Sequence, residues 1–343
     1  MGATADGSPV KYHDLVGIPK TASSCFSQKR LPSIDVESTL SIRIPGAGWQ
    51  NMDLLRGKSG MKTALIMEGG AMRGMFTCGV IDVLMQNGIT FDGAAGISAG
   101  AVFGCNFKSG QIGRPIRYNK KYCADPRYCS IRSLLRTGDL YGADFCYREL
   151  PDELDVFDRK AFRDNPLQFY VGATDVRTGK PVYHLCTDGG PEDMRWFQAS
   201  ASMPIVSKPV KINDALLLHG GITDAVPYVF MEAQGYHRNV MILTQPKGYR
   251  KAPESGMMKI MLRKYPHIVA AMKVRHQMYN RQMEEIDQRE ASGESLVIRP
   301  PQSLQIGHAE KNPDELERVY LIGVHEAEKR LEDIRTFLAE DDA

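Results

Sequence analysis

The sequence predicts an α/β protein: a three-layer arrangement in which a mainly parallel sheet carries helices on both faces, followed by a helical C-terminal extension. Three observations carry that expectation. Short continuous apolar runs alternate with helix-period stretches between Lys62 and Gln245. Glycine-rich turns stand where several of those runs end, at Gly69-Gly70, at Gly96 to Gly100 and at Gly220-Gly221. Beyond Gln245 helical periodicity dominates, interrupted by one strand-like run, SLVIRP.

The first strand is KTALIME, beginning at Lys62; the loop GGAMRG follows, then a helical pattern with Phe76, Val80, Val83 and Leu84 on one face. FDGAAG reads as a short strand, ISAG as a turn and AVFGCNF as the start of a helix. FYVGATD (Phe169 to Asp175), LLLH (Leu216 to His219) and NVMILTQ (Asn239 to Gln245) continue the strands. The stretch from Lys259 to Glu290 is helical. A long amphipathic helix closes the chain, with Leu316, Tyr320, Gly323, Ala327, Leu331, Ile334 and Leu338 near one face, a core-packing stripe.

Residues 1–60 are rich in Gly, Ser, Pro and Thr without sustained periodicity and read as a disordered leader, with Met61 as an alternative start. The expected organisation is therefore a leader over 1–60, an α/β domain over 62–245 and a mainly helical extension over 246–343.

Of 343 residues, 43% are hydrophobic and 24% charged, values of a globular chain. The net charge of +2 gives no overall pull toward nucleic acid, and no nucleic-acid partner is expected. The charge is unevenly placed. Nine Lys/Arg between Lys247 and Arg281 face the single acid Glu254, and seven between Arg114 and Arg136 face Asp125. From Glu310 onward eleven acids outnumber five bases. Lys259, Arg263, Lys264, Lys273 and Arg275 are read as a basic face for anionic lipid head groups, against the plain alternative of a solvated face. Seven cysteines without CxxC or His spacing fit a reducing, cytoplasmic setting, peripheral to a membrane at most, and imply no metal. No apolar run approaches the roughly eighteen residues of a membrane span.

Gly96-Ile97-Ser98-Ala99-Gly100 matches G-x-S-x-G between a strand and a helix, the setting in which a sharp turn presents a serine hydroxyl at the carboxyl edge of a sheet. A Gly-Ser-Gly turn also occurs in ordinary loops, so the pentapeptide needs company. It comes 28 residues earlier, where Gly69, Gly70, Ala71, Arg73 and Gly74 form a loop whose backbone N–H groups, at a helix N-terminus, suit a tetrahedral oxyanion or a phosphate. The nucleotide alternative is disfavoured, because neither G-x-G-x-x-G nor a P-loop Lys-Ser/Thr is present. At the end of LLLH stands His219, by default a packed structural histidine.

With these elements on the page the chain resembles the patatin-like phospholipases over about Lys62 to Gln245. The likeness rests on EGGAMRG (Glu68 to Gly74), GISAG (Gly96 to Gly100), ASASMPIV (Ala199 to Val206) and HGGITDAVP (His219 to Pro227), in the family's order. It implies a patatin-like fold, lipid or phospholipid acyl esters as substrates, Ser98 as nucleophile, the Gly69 to Gly74 loop as oxyanion hole, and no cofactor. Two departures stand out. Ala71 occupies the place of the family's third glycine, tolerable with negative φ. His219 occupies the place of the catalytic aspartate, so the base is replaced or lost. Asp224 is a turn residue in this reading and, secondarily, a partner that orients His219 in a Ser98–His219–Asp224 relay. The alternative to an active hydrolase is a catalytically impaired lipid- or acyl-binding protein on the same scaffold.

Overall fold

The computed structural model describes residues 61–254 and 262–339; the expected leader and Lys259 lie outside the described residues. Strand β1 (Lys62–Met67) sends Leu65 and Met67 into one apolar core and Ala64 and Ile66 into the other. Mid-sheet position is why it reads as an unbroken apolar run: neither face meets water. Helix α1 (Gly74–Gln86), β2 (Gly93–Ile97) and α2 (Ala99–Ser109) follow. Helices α3 (Arg114–Tyr122), α4 (Ile131–Thr137) and α5 (Arg159–Asp164) then lead to β3 (Gln168–Asp175). The antiparallel strand β4 (Pro181–Cys186) turns back on β3. Helix α6 (Pro191–Ala201) precedes the hairpin of β5 (Val210–Ile212) and β6 (Ala215–His219), and α7 (Tyr228–Ala233) and β7 (Tyr236–Ile242) come next. The chain continues as α8 (Pro266–Ala291), β8 (Ser295–Ile298), α9 (Pro313–Lys329) and α10 (Leu331–Ala339).

Among the described residues the sheet has eight strands in the order β5-β6-β3-β2-β1-β7-β8, with β4 also on β3. The run from β3 to β8 is parallel, so Glu68, Ser98 and Leu243 all emerge at one carboxyl edge. β6 enters antiparallel from that edge and stops at His219, paired with Ala173, next to the Gly172 that pairs with Ile97. Helices cover both faces. On one side α1, α2 and α9 share a core with Leu65 and Met67; on the other, Met278, Tyr279, Met283 and Ile286 of α8 pack with Tyr228 and Met231 of α7.

Two elements differ from their sequence patterns. Helix α1 is buried on every side from Gly74 to Leu84, not along one face, because α9 closes over its outer surface. The approach is backbone to backbone: a Cβ on Gly79 would lie 2.1 Å from Tyr320 O, and one on Gly323 would lie 2.0 Å from Phe76 O. The closing helix is two helices with a break at Arg330, and its buried set includes Val319 and Phe337. The strand expected at SLVIRP is β8, which extends the parallel sheet through Val240↔Leu296.

Candidate active site

Ser98 links β2 to α2 with φ +54° and ψ −120°, a conformation a non-glycine residue adopts only when its surroundings enforce it. The enforcement is steric. A Cβ on Gly96 would lie 2.4 Å from Gly100 O, and one on Gly100 would lie 2.3 Å from Met67 O, so the turn closes only with both positions bare. Ser98 N–H donates to Ser200 Oγ at 2.8 Å, and Ser200 Oγ donates to Gly172 O at 2.6 Å. The ASASMP stretch thus holds the serine's backbone from the neighbouring strand.

The loop after β1 lies against this turn. A Cβ on Gly69 would lie 2.9 Å from Ser98 Cβ, which brings the loop backbone directly beside the serine. Three hydrogen bonds donated by Thr244 and Tyr279 pin it from the other side. Glu68 Oε2 accepts from Thr244 N–H at 2.6 Å, Glu68 Oε1 accepts from Tyr279 OH at 2.8 Å, and Thr244 Oγ1 donates to Gly69 O at 2.9 Å. Ala71 begins a 3₁₀ turn that runs into α1, and its φ is +50°. The negative φ that would make alanine free of strain is therefore not adopted: the reversal from Gly70 into the helix needs a left-handed residue, which costs a side chain about 1–2 kcal/mol.

His219 is buried at the end of β6. Its N–H donates to Ser202 O at 2.9 Å, and its carbonyl accepts from Thr174 Oγ1 at 2.9 Å. Gly220 then crosses β3 so closely that a Cβ would lie 2.4 Å from Gly172 O and 3.2 Å from Ile97 Cδ1. The imidazole Nδ1 has no hydrogen-bond partner. Burial pushes the imidazole pKa well below its ordinary value, and the charges of Arg275 and Lys251 push it further, so the ring is neutral.

Both carboxylate oxygens of Asp224 are held by groups other than His219, whose Nδ1 has no hydrogen-bond partner. Asp224 Oδ2 accepts from Tyr183 OH and Oδ1 accepts from Gln282 Nε2 at 2.8 Å, an arrangement that ties the turn to α8 and to β4. Arg275 also departs from its expected place on a lipid-facing surface. Its side chain is 11% exposed, Nε donates to Gly221 O at 2.7 Å, and Nη1 pairs with Glu254 at 2.9 Å. Arg263, Lys264 and Lys273 are exposed.

Ser98, His219 and the loop all line one cavity of about 560 Å³. Met72, Val102, Phe103, Leu150 and Ile205 give it an apolar wall. Arg73, Lys251, Arg275 and His308 form a polar wall. Three of those four come from beyond β7 and were not singled out as site residues by their sequence pattern. One signal was present: Arg275 falls on the stripe Ile268, Met272, Tyr279 and Ile286, where α8 is otherwise buried.

Among the described residues, one group has metal-ligand character: His184, Cys186 and Asp193, with candidate ligand atoms within 4.8 Å of one another. Asp193 Oδ2 already accepts from the N–H groups of Thr187, Asp188 and Gly189, and Oδ1 meets His184 Nε2 at 2.7 Å. The cluster fastens the turn before α6 and lies outside the cavity. Among the described residues no helix is long and apolar enough to cross a membrane.

Comparison with known proteins returns two family profiles. The profile described as patatin-like phospholipase matches residues 65–230, and a domain of unknown function (DUF6363) matches residues 265–339. The chain is 29% identical to the protein YjjU of Escherichia coli (strain K12) over 56% of its own length and 55% of that protein. It is 30% identical to an NTE family protein of Mycobacterium tuberculosis (strain ATCC 25618 / H37Rv), over 50% of this chain and 46% of that one. It is 28% identical to lysophospholipase NTE1 of Yarrowia lipolytica, over 53% of this chain and 12% of that protein. The chain thus spans about half the length, or less, of these relatives. Among solved structures, VipD from Legionella pneumophila aligns with a TM-score of 0.41 at 12% identity, over 80% of this chain and 67% of that one.

Proposed function

This chain belongs to the patatin-like phospholipase family, a family of lipid hydrolases, and from that premise we propose that it is a serine acyl hydrolase cleaving lipid acyl esters. Ser98 Oγ attacks the acyl carbonyl carbon and its proton passes to the side chain at position 219. The carbonyl oxygen becomes an oxyanion facing the N–H groups of Gly70, Ala71 and their neighbours. Collapse expels the alcohol, which takes the proton, and water then releases the acid from Ser98 by the same sequence.

The observation that carries this reading is the backbone of Ser98, held at φ +54° at the edge of a largely apolar cavity with Gly69 packed against its Cβ. Strain of this kind at a buried serine serves presentation of the hydroxyl rather than stability. A fluorophosphonate probe tests it: Ser98 is the labelled residue, and labelling that survives Ser98→Ala sinks the assignment.

A second reading has its own support. A buried imidazole beside Arg275 and Lys251 is a poor proton acceptor, since the imidazolium it must become has two cations for neighbours. The scaffold then binds acyl lipids and turns them over slowly or not at all. Steady turnover of a p-nitrophenyl acyl ester separates the two readings.

A further inference from the structure

The polar wall of the cavity carries more positive charge than the acyl-transfer steps employ. Arg73 Nη1 donates to His308 Nε2 at 3.2 Å, while its buried Nε has no hydrogen-bond partner. Among the described residues no carboxylate pairs with Arg73 and no acceptor reaches the Lys251 ammonium, which stands 4.9 Å over the ring of Tyr279. Arg275 contributes a third cation, partnered by Glu254 at 2.9 Å. The other acids on the cavity are engaged elsewhere: Glu68 by Thr244 and Tyr279, and Asp139 by the N–H of Lys208. Arg73 and Lys251 stand on the cavity wall without a paired carboxylate, and their convergence with Arg275 beside Ser98 gives the three cations a ligand in common.

We propose that Arg73, Lys251 and Arg275 form a subsite for a phosphate group esterified to the substrate, seated in the same cavity as Ser98. The inference rests on the acyl-hydrolase reading for the identity of the ester, and on the geometry of the wall for the anion. Phosphate suits the donor set better than a carboxylate, because an ammonium and two guanidinium groups offer more N–H bonds than two oxygens accept. The arrangement also gives the chain beyond β7 a task. Lys251 and Arg275 come from it, with His308 on Arg73, so the part of the chain beyond β7 supplies two of the three cations and Arg73 joins them to the loop beside Ser98. A phosphate here would place negative charge beside His219, offsetting the field of Arg275 and Lys251 that adds to burial in holding its imidazole neutral.

The test uses the full chain carrying Ser98→Ala and isothermal titration calorimetry with three probes: 1-acyl-glycerol 3-phosphate, 1-acyl-glycerol of the same chain length, and inorganic phosphate. The phosphorylated lipid is expected to bind about ten- to a hundredfold tighter than the neutral one, the range of one or two charge-assisted hydrogen bonds. Lys251→Met and Arg73→Gln, each checked for cooperative unfolding, are expected to bring that ratio toward one. Equal affinities for the two lipids overturn the subsite, as does a ratio that neither variant changes. Inorganic phosphate binding as tightly as the phosphorylated lipid would make this a site for the free ion and overturn the head-group assignment. Fluorophosphonate labelling of the parent reports on the hydrolase reading separately. Labelling with equal affinities removes the subsite alone, and a retained preference without labelling removes the nucleophile alone.

Discussion

Arg275 donates its Nε to the carbonyl of Gly221 at 2.7 Å and thereby seats a buried guanidinium two residues beyond His219. With Lys251 it makes the pocket around position 219 electrostatically suited to an anion. An aspartate there would face two cations, whereas the imidazole present can gain a proton only against them.

His219→Asp is accordingly expected to raise ester turnover, by about ten- to a thousandfold, within the range of general-base catalysis. Steady-state kcat/KM for the parent, His219→Asp and His219→Ala decides the matter. Three equal values would remove position 219 from the chemistry; a fall in His219→Asp would make imidazole the working base.

Burial, with the same field, sets a pH dependence. Because the folded-state pKa of His219 is depressed, the unfolded chain binds the extra proton first, so this contribution to stability is present above about 6.5 and is lost as pH falls toward the depressed value. His308 shifts in the same direction, by burial and then by Arg73, Lys251 and Arg275. The Tm of the parent should therefore fall more steeply than that of His219→Asn between pH 7 and pH 5. Lys251 is pushed down to about 8 by burial and by Arg275 and Arg73, against the opposing charges of Glu68 and Glu254. Preference for the phosphorylated lipid should then weaken as pH rises past 8, which calorimetry at pH 7 and pH 9 would reveal.

Ala71→Gly should stabilise the fold. The left-handed φ of Ala71 costs about 1–2 kcal/mol, and glycine recovers this less about 0.4–1 kcal/mol of extra unfolded-state entropy, leaving a gain of up to about 1.6 kcal/mol, centred on about 0.8 kcal/mol, in urea unfolding. Ala71→Val should lose stability, since β-branching is poorly accommodated at positive φ.

If exposed basic residues dock on lipid, Arg263, Lys264 and Lys273 are the ones placed to do so, together with Arg132 and Arg136 of α4, whose Ile131 and Leu135 are 72% and 84% exposed. Sedimentation with anionic vesicles should show binding that declines as salt rises toward physiological strength, where charges are screened over about 8 Å. Equal binding to neutral vesicles would assign the contact to Ile131 and Leu135 instead.

The parallel core and the turn at Ser98 were legible in the sequence because both depend on local pattern. A mid-sheet strand must be apolar throughout, and a strand-to-helix turn this tight must flank its serine with glycines at positions 96 and 100. The sign of φ at Ala71 was not legible, since nothing in the composition of GGAMRG tells which residue absorbs the reversal. Nor was the polar wall. Lys251, Arg275 and His308 reach the cavity through the packing of α8 and the loop before α9, a path that no spacing between them encodes. Charge counting grouped Arg275 with surface residues, when its register with Met272 and Tyr279 marked it as inward.

The contact of Gly79 with Gly323 bears on how this chain can vary. Two helices whose backbones touch leave room at the crossing for hydrogen alone, so α9 is keyed to α1 as a tenon is to its mortise. Helix α1 begins at Gly74, directly after Arg73 and the loop beside Ser98. A shift of α9 by one residue, or a side chain at either glycine, displaces the helix that anchors that loop. The stretches matched by two separate family profiles are therefore one mechanical piece, and neither can be exchanged for a relative's version without refitting the joint.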